Sequence, residues 1–351
     1  MVIMQNNDPS EKILLSHGSG GKATQELIKN VIASIFDNPY LNELEDSSVL
    51  PLGAIGNQYV NMPGHLVMTQ DSYVVKPLFF PGGDIGKLSV CGTVNDLATA
   101  GAIPLALSVG LIIEEGFELE TLEKILRSMK QTADSVGVSL ITGDTKVVER
   151  GHGDGIYIST AGVGFVSKDV RLGKGLVKDG DLILINGPIG DHEACIMSAR
   201  GDYSIGVDIS SDCAPLSELV QAIIREVSDV RWMRDPTRGG VAAVLQELVD
   251  DSEFDALIDE ESLPVRESTA NLCEILGIDP IFMANEGKMI FVVSPGSAEK
   301  CISIMNRFEV GKGARIIGKI AKGKGRLIME TAYGTSRIVT LPSGSQLPRI
   351  C

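Results

Sequence analysis

The nine residues Leu105-Ala106-Leu107-Ser108-Val109-Gly110-Leu111-Ile112-Ile113 are largely apolar and predict a buried β-strand. Apolar residues at helical spacing predict a helix on each side of it, Ile85–Ala100 before and Thr121–Val136 after. Two more strands, Val138–Thr142 and Ile156–Val166, then follow with no helix between them. Strands and helices therefore mix without regular βαβ alternation, which predicts an α+β fold whose sheets are covered by helices on one side.

The length and the charge of the chain limit its domain count and its partners. At 351 residues the chain is expected to form two domains, and a turn at Asp179-Gly180-Asp181 precedes the first strand of the second half. The formal charge is −15 and the pI is about 4.8, so the surface repels nucleic-acid phosphate and anionic lipid. Neither nucleic acid nor membrane is therefore an expected partner.

Targeting signals are not evident in the sequence. The longest apolar run, Ala102–Ile113, contains Pro104 and is too short to cross a bilayer. The first eight residues lack the basic-then-apolar order of a signal peptide. A cytoplasmic location is the resulting expectation.

The cysteines separate into five internal residues and one at the last position. None of the six forms a CxxC pair or shows zinc-ligand spacing, so the internal five are expected to be small core residues. Cys351 follows Arg349, whose cation favours the nucleophilic thiolate. The tail from Leu341, fully extended, could reach roughly 35 Å. Cys351 is therefore either a carrier thiol that moves between sites or an accidental cysteine on a frayed terminus.

A glycine-rich segment, Ser16-His17-Gly18-Ser19-Gly20-Gly21-Lys22, stands directly before an amphipathic helix over residues 22–36. Glycines let successive amides point into one concavity, and the helix start adds the positive end of its dipole. This combination predicts a phosphate site, although the spacing is neither that of a P-loop nor that of a dinucleotide fingerprint. The alternative is a flexible turn that only begins a helix.

Three aspartates are candidate metal ligands. Asp71 follows a predicted strand, Asp96 lies on a predicted helix, and Asp144 lies in a predicted loop. Asp96 lies between apolar neighbours, where an unpaired charge would be costly to bury. Converging carboxylates suit Mg²⁺, which binds one or two of them together with substrate phosphates. Each aspartate alone could cap a helix or a turn, but the set is better explained as metal ligands.

Other charged residues are candidates for acid–base chemistry and phosphate binding. Glu286 precedes an apolar strand, where partial burial would raise its pKa and make it a possible base. Lys146 follows Asp144 by two residues. Asp235 and Arg238 open a predicted helix, where Arg238 could pair with phosphate. The alternatives are a surface turn for Glu286 and a well-capped helix with a solvated Arg238.

Taken together, these motifs resemble one family, the hydrogenase maturation factors called HypE, over essentially the full length. The terminal Pro348-Arg349-Ile350-Cys351 combined with the internal motifs is specific to that family, whereas each internal motif alone indicates the wider aminoimidazole ribonucleotide synthetase-like superfamily. The matching internal motifs are His17–Lys22, Asp71–Val74, Phe79–Gly83, Val94–Leu97, Gly143–Val148, Asp235–Gly240 and Asn285–Lys288.

The resemblance implies a two-domain α+β fold of the PurM-like type, which usually forms a homodimer. It implies an N-terminal ATP- and Mg²⁺-binding domain over residues 1–170, a C-terminal domain over 171–335, and a last strand and tail over 336–351. The N-terminal domains of the dimer are expected to pair their sheets into a β-barrel, with ATP bound in the cleft.

The resemblance also implies the reaction and the partners. A carbamoyltransferase, HypF, loads a carbamoyl group onto the terminal thiol, and the protein dehydrates it to a thiocyanate with ATP. The cyanide passes to iron on a HypC–HypD complex and becomes a ligand of the [NiFe]-hydrogenase centre. Two alternatives stay open from the sequence, a small-molecule synthetase or kinase of the same superfamily and a nucleotide-regulated scaffold.

Roles for individual residues follow from the resemblance. Cys351 is expected to be the covalent carrier, Glu286 the base and Lys146 a stabiliser of developing negative charge. Asp71, Asp96 and Asp144 are the expected Mg²⁺ ligands. The residues expected to bind ATP are His17, Gly18, Ser19, Gly20, Gly21, Lys22, Asn95, Asp235, Arg238 and Asn285.

Overall fold

Two large β-sheets and a small antiparallel pair of strands, Phe79–Phe80 with Gly83–Asp84, organise the part of the chain that the structure describes. The structure is a computed structural model that describes residues 12–18, 22–39, 63–201 and 209–341. The strands of the first half are β1 (Gly64–Tyr73), β2 (Phe79–Phe80), β3 (Gly83–Asp84), β4 (Ile103–Glu114), β5 (Ser139–Val148) and β6 (Ile156–Ser167). The strands of the second half are β7 (Leu182–Ile185), β8 (Val230–Arg234), β9 (Phe254–Asp259), β10 (Ile290–Val293), β11 (Arg315–Lys322), β12 (Leu327–Glu330) and β13 (Ser336–Ile338).

The helices cover these sheets. An N-terminal helical segment begins as α1 (Lys22–Leu27), continues as a π-helix (Ile28–Ile32) and ends as α2 (Ala33–Phe36). The other helices are α3 (Ile85–Thr99), α4 (Leu119–Ser135), α5 (Asp191–Ala199), α6 (Ser217–Glu226), α7 (Gly240–Val249), α8 (Glu267–Leu276) and α9 (Ala298–Met305). The observed mixture of helices and sheets agrees with the predicted α+β class.

The first sheet has four strands in the order β1-β6-β4-β5. The pairs β1–β6 and β4–β6 are antiparallel, and β4–β5 is parallel with α4 as its crossover helix. Residues on one face of β6 are buried while those on the other face are half-exposed. Helices therefore cover one face of the sheet, and the other, which we call the outer face, is half-exposed among the described residues.

Helix α3 is buried on nearly every side and connects the two halves of the chain. It packs on the first sheet and on α4, and also meets α6 and β8 of the second half. A helix that is apolar all round is expected in such a position. Its N-terminus is capped by Asp84, whose Oδ1 accepts hydrogen bonds from the amides of Gly86 (2.7 Å) and Lys87 (3.2 Å).

The second sheet has seven strands in the order β13-β12-β9-β11-β7-β10-β8. The sequence pattern did not predict strands β8 and β9. In β9 the polar Asp255 interrupts the apolar pattern, yet its carboxylate is buried and accepts hydrogen bonds from the amides of Lys324 and Arg326 and from the Arg326 guanidinium. Tertiary partners therefore permit a strand that the local pattern does not indicate.

Glu193 on α5 is a buried acid in the apolar core that both halves share. Burial raises its pKa from 4.5 to about 7, although its Oε2 accepts a 2.7 Å hydrogen bond from the Ala284 amide, which favours the charged form. The folded chain therefore holds this proton more tightly than the unfolded chain. The contribution of Glu193 to stability is full below pH 4.5 and is lost as the pH rises towards 7.

We accordingly expect Glu193→Gln to stabilise the protein at about pH 8, by ~1–3 kcal/mol, because glutamine can keep accepting the Ala284 amide without a buried charge. Urea unfolding between about pH 5 and pH 8 would measure the effect, with the exposed Glu218→Gln as the matched control. Equal destabilisation by Glu193→Gln at about pH 5 and pH 8 would contradict a raised pKa of Glu193 in the folded chain.

Candidate active site

A cleft of about 550 Å³ runs along β1, the edge strand of the first sheet among the described strands. One wall is formed by residues 67–73 of β1, and the floor is formed by α3. The opposite wall comes from the second half, through residues 234–238 and Glu286. The cleft therefore lies between the two halves of the chain.

Asp71 and Asp96, both predicted metal ligands, line this cleft. In β1 the side chains alternate, so Thr69, Asp71 and Tyr73 are directed to the same face. The Thr69 hydroxyl donates a 2.8 Å hydrogen bond to Asp96 Oδ2. Burial raises the pKa of Asp96, and the negative charge of Asp71 raises it further. Two carboxylates thus approach one another across the strand and the helix.

Asp235 adds a third carboxylate to the cleft. Its side chain is buried, and burial together with the charge of Asp96 raises its pKa to about 7. The chain then turns through Gly239 and Gly240, with φ of +71° and +62°, to begin α7. Only glycine adopts these values readily, which explains the paired glycines after Arg238.

Glu286 is the fourth carboxylate and is only 4% exposed. Burial raises its pKa well above the ordinary value of 4.5, and nearby acidic groups raise it further. Those groups are Cys213, Asp212, Asp235 and Asp71. A carboxyl group in this environment can take up a proton near neutral pH, which is the property required of a general base.

Two arginines balance the acidic groups at the mouth of the cleft. Arg238 is 73% exposed and lies 3.6 Å from Asp71 Oδ1, and Arg234 is 51% exposed and lies 3.5 Å from Glu247 Oε2. Carboxylates inside and guanidinium groups at the mouth suit a ligand that carries both a divalent cation and phosphate groups.

Asp144 and Lys146 do not lie in this cleft. Asp71 of β1 pairs with Thr160 of β6, Thr160 pairs with Val109 of β4, and Val109 pairs with Gly143 of β5. Asp144 is the residue after Gly143, so its side chain faces the opposite side of the sheet from that of Asp71. Strand β5 is also three strand spacings, or ~14 Å, from β1. The register therefore separates Asp144 from Asp71 and Asp96 in the single chain, and the joint role of the three aspartates as Mg²⁺ ligands stays a prediction.

The expected loop at Gly143 is also corrected, because β5 continues to Val148. A Cβ at Gly143 would lie 2.6 Å from the Val109 carbonyl oxygen, so the close approach of β4 and β5 requires glycine here. Asp144 and Lys146 are exposed on this strand, and the Lys146 ammonium lies 3.1 Å from Asp144 Oδ1.

The predicted phosphate segment lies near β5 rather than at the acidic cleft. Residues Leu15–Gly18 form a 3-10 helix that contacts β5, and α1 starts at Lys22. The His17 Nδ1 accepts a 2.9 Å hydrogen bond from the Leu14 amide, which stabilises this turn. Ser19, Gly20, Gly21 and Cys351 lie outside the described residues.

A second pocket of about 250 Å³ lies where the N-terminal helical segment meets β5. It is lined by Thr24, Ile28 and Phe36 on one side and by residues 142–146 on the other. The predicted site residues thus divide into two groups, one around Asp71 and the other around Asp144.

Asn95 and Asn285, both expected to bind ATP, make hydrogen bonds to the protein backbone. Asn285 Oδ1 accepts a hydrogen bond from the Gly190 amide at 2.8 Å, and its Nδ2 donates to the carbonyls of Pro236 and Met283, each at 2.9 Å. Asn95 Nδ2 likewise donates to the carbonyls of Ala214 and Glu286, and its Oδ1 accepts a hydrogen bond from the Leu216 amide. Both side chains are buried and connect backbone segments beside the cleft, and their expected contact with ATP stays a prediction.

Some cleft residues were not expected from the sequence. Thr69 and Arg234 carry no motif signal by themselves, and only the adjacent Asp71 and Asp235 could have indicated them. Tyr73 lines the wall formed by β1, with its hydroxyl 3.4 Å from Thr93 Oγ1. Among the described residues no three His, Cys, Asp or Glu side chains are close enough to hold one metal ion.

None of the helices in the described part of the chain is both long and apolar enough to span a bilayer.

Comparison with known proteins identifies two consecutive family regions. Residues 45–166 match the N-terminal domain of AIR synthase related proteins, and residues 178–330 match the C-terminal domain of the same group. Among curated relatives, the carbamoyl dehydratase HypE of Rhodobacter capsulatus is 44% identical over 343 residues, covering 97% of this chain and 98% of the relative. HypE of Escherichia coli K12 is 42% identical over 339 residues, covering 97% and 99%.

Solved structures give the same result. HypE in complex with ATP superimposes with a TM-score of 0.89 at 41% identity, covering 96% of this chain and 99% of the other. A HypE–HypF complex gives a TM-score of 0.77 at 46% identity, covering 90% and 99%. Thiamine-monophosphate kinase of Stenotrophomonas maltophilia, at 20% identity and a TM-score of 0.60 over 78% and 86%, shares the fold.

Proposed function

The chain belongs to the carbamoyl dehydratase HypE family, and we propose that it dehydrates a carbamoyl group on Cys351 to a thiocyanate at the expense of ATP. The observation that carries this proposal is the cleft in which Asp71, Asp96, Asp235 and Glu286 converge behind two arginines. The resulting thiocyanate carries the cyanide that becomes a ligand of the [NiFe]-hydrogenase iron.

The donor set of the cleft fits a nucleotide bound with Mg²⁺. Asp71 and Asp96 are hard oxygen donors, and Mg²⁺ commonly takes one or two carboxylates together with phosphate oxygens. The raised pKa values of Asp96 and Asp235 reflect burial and mutual repulsion, which a cation would relieve. When bound, Mg²⁺ would neutralise negative charge on the phosphates, and Arg238 would pair with a phosphate at the mouth of the cleft.

The reaction needs a better leaving group than an amide oxygen. Transfer of the γ-phosphoryl group of ATP to the carbamoyl oxygen, with loss of one N–H proton, leaves ADP and an O-phosphorylated imidate on sulfur. Loss of the second N–H proton then expels inorganic phosphate and forms the C≡N bond. We assign removal of the second N–H proton, the step that forms the C≡N bond, to Glu286, whose raised pKa suits a base near neutral pH.

A homodimer formed through the outer face of the first sheet is the second part of the proposal. This face exposes Leu66, Met68 and Ile112 by 67%, 72% and 43%. A shallow depression of about 360 Å³ crosses it from Gln70 to Asp144. A second copy on this surface would cover the apolar side chains, as in a two-sheet barrel.

Pairing of the outer faces would also supply the residues that one chain keeps apart. Asp71 faces the covered side of the sheet, so we propose that the partner's Asp144 and the partner's Lys146 reach around the edge strand β1 and complete the cleft beside Asp71 and Asp96. Asp144 shares its outer-face row with Ser72 of β1, through Gly110 and Ser159. This arrangement gives Asp144 and Lys146 their expected roles in metal binding and charge stabilisation.

Mixed dimers test this arrangement. We expect Asp71→Asn and Asp144→Asn each to abolish dehydration, while dimers that combine the two variants recover roughly half of the wild-type rate, because one of two shared sites is intact. Two different affinity tags would isolate the mixed dimers. Adding Leu66→Glu to both chains should prevent pairing and recovery. Inactive mixed dimers that remain dimeric would show that each site lies within one chain.

The partners follow from the same chemistry. A HypF-type carbamoyltransferase would load Cys351, and the existence of a HypE–HypF complex among homologues supports that pairing. We further propose that an iron-carrying HypC–HypD complex receives the cyanide.

Phosphate release provides the direct test of the proposed function. With a carbamoylated Cys351 we expect about one phosphate to be released from ATP for each thiocyanate formed, and almost none without the carbamoyl group. A protein that forms thiocyanate without releasing phosphate would contradict the ATP-dependent reaction. Binding of ATP without any turnover would instead identify a nucleotide-regulated scaffold.

A further inference from the structure

Asp212 is a buried carboxylate outside the cleft lining that contacts the backbone of Glu286. Its Oδ1 accepts a 3.1 Å hydrogen bond from the Glu286 amide, and its Oδ2 accepts a 3.2 Å hydrogen bond from the Gly287 amide. The Lys288 ammonium lies 3.1 Å from the same Oδ2. The side chain of Asp212 is 2% exposed and that of Lys288 is 7% exposed. One carboxylate thus binds three consecutive residues of the segment that carries Glu286.

The Asp212 carboxylate stays ionised in this position. Burial by itself would raise its pKa, but the positive charge of Lys288 and the proximity of His192 bring the pKa below its ordinary value. A charged acceptor makes stronger hydrogen bonds to amides than a neutral one. The contact with Glu286 and Gly287 is therefore a charge-assisted clamp.

Close packing leaves the Glu286 backbone little freedom. A Cβ on Gly287 would lie 1.9 Å from the Asp212 carbonyl oxygen, so only glycine fits against this segment. The Gly287 carbonyl accepts a 3.1 Å hydrogen bond from Asn186, and the Glu286 carbonyl accepts one of 3.3 Å from Asn95. The peptide groups on both sides of the Glu286 side chain are thus held in place.

The segment that carries Asp212 is itself attached to the first half. The Ser211 amide donates a 2.9 Å hydrogen bond to the Pro81 carbonyl, and the Leu216 amide donates a 2.8 Å hydrogen bond to Asn95 on α3. Asp212 and its neighbours therefore connect the Glu286 backbone to α3, the helix that also carries Asp96. The base and a predicted metal ligand therefore share one rigid support.

We propose that Asp212, which binds the Glu286 and Gly287 amides and pairs with Lys288, is a positioning residue that fixes Glu286 for proton removal. This inference rests on the proposed function, because it assumes that Glu286 is the base. A displacement of the reacting groups by about 1 Å can lower a rate by roughly 100-fold. The charged or titratable groups that surround Glu286 are Asp71, Tyr73, Asp212, Cys213 and Asp235.

Asp212→Asn provides the first test, because asparagine keeps the size of the side chain but replaces one acceptor oxygen by a donor. In the full-length carbamoylated protein at saturating Mg-ATP, we expect the first-order rate constant of dehydration to fall by roughly 30- to 100-fold. The ATP concentration at half-maximal rate should change by less than about twofold, since Asp212 does not line the cleft. An unchanged rate constant would overturn the proposal.

A matched control separates positioning from loss of stability. Asp255 is also buried, accepts hydrogen bonds from two backbone amides and pairs with a cation, Arg326, but it lies in the second sheet away from the cleft. Asp255→Asn should lower the melting temperature while folded protein retains the wild-type rate constant. A rate loss in Asp255→Asn equal to that in Asp212→Asn would overturn the proposal.

The double substitution Asp212→Leu with Lys288→Met covers the case in which the single variant folds poorly. Replacing a buried ion pair by apolar side chains usually preserves stability, but leucine cannot accept the amides of Glu286 and Gly287. We expect the double variant to fold more stably than Asp212→Asn, which leaves the buried Lys288 without its anionic partner, although two amides lose their acceptor, and its rate constant to stay roughly 100-fold low. Recovery of the rate along with stability would overturn the positioning role.

The Glu286→Gln background distinguishes failure of this inference from failure of the proposed function. If Asp212 acts through Glu286, then Asp212→Asn should lower the residual rate of Glu286→Gln by less than about twofold. A full additional loss would overturn the positioning role and leave Glu286 as the base. Full activity of Glu286→Gln would overturn the base assignment itself, and the positioning role with it.

Discussion

Cys351→Ala is expected to abolish both carbamoylation of the chain and the ATP-dependent loss of water. A carrier thiol must reach a partner's active site as a thiolate, and the described cysteines Cys91, Cys195, Cys213, Cys273 and Cys301 are all buried. Burial also raises the pKa of Cys301 to about 12, so that thiol remains protonated. Because each described thiol is buried, Cys351 remains our proposed carrier of the carbamoyl group.

Mass spectrometry of tryptic peptides would measure this loss, with Cys301→Ala as the matched control. We expect the control to be carbamoylated like the wild type, because its thiol does not take part. A carbamoyl group on another cysteine of Cys351→Ala, followed by normal transfer of cyanide to iron, would contradict the carrier role.

Glu286→Gln has the second-largest expected effect, a fall of roughly 10²- to 10⁴-fold in the rate constant of dehydration. Glutamine matches the shape of glutamate but cannot take up a proton. Carbamoylation of Cys351 and binding of Mg-ATP should persist, because neither step requires the base. Stopped reactions should therefore accumulate the carbamoylated protein.

The pH dependence gives the same prediction a second readout. Burial first, and then the neighbouring acidic groups, raises the pKa of Glu286 well above 4.5, and only the deprotonated form is a base. The wild-type rate should therefore rise with pH through this raised pKa, and Glu286→Gln should lose that limb of the profile. A wild-type rate that falls over the same interval would contradict the assignment.

The sequence indicated the members of the site better than their arrangement. Asp71, Asp96, Asp235 and Glu286 were all proposed from local patterns, and the structure places them around one cleft. Asp144 was proposed on the same grounds but faces the other side of the sheet. The face is determined by pairing register, and a shift of one residue, which no local pattern reports, reverses it.

Buried amides illustrate a second limit. An asparagine in a motif can bind a ligand or connect backbone segments, and the residue type is compatible with both uses. Asn95 and Asn285 turn out to bridge backbone groups from distant parts of the chain. Such partners depend on tertiary packing, as do those that allow Asp255 to lie within β9.

Asp212 was not indicated by the sequence at all. Its neighbours in Ser211-Asp212-Cys213 form no motif with chemical meaning, and its partners at 286–288 lie more than seventy residues away. Only the folded chain brings this carboxylate against the backbone of the proposed base. Long-range contacts of this kind account for most of what the sequence did not reveal about the site.

The central claim, ATP-dependent dehydration on Cys351, is tested most directly by intact-protein mass spectrometry. The full-length protein would be incubated with a HypF-type carbamoyl donor system and measured before and after addition of Mg-ATP. We predict a carbamoyl adduct on the Cys351 peptide that loses the mass of one water only when Mg-ATP is present. An adduct that keeps its mass with Mg-ATP, or a Cys351 left unmodified by an active donor system, would contradict the account.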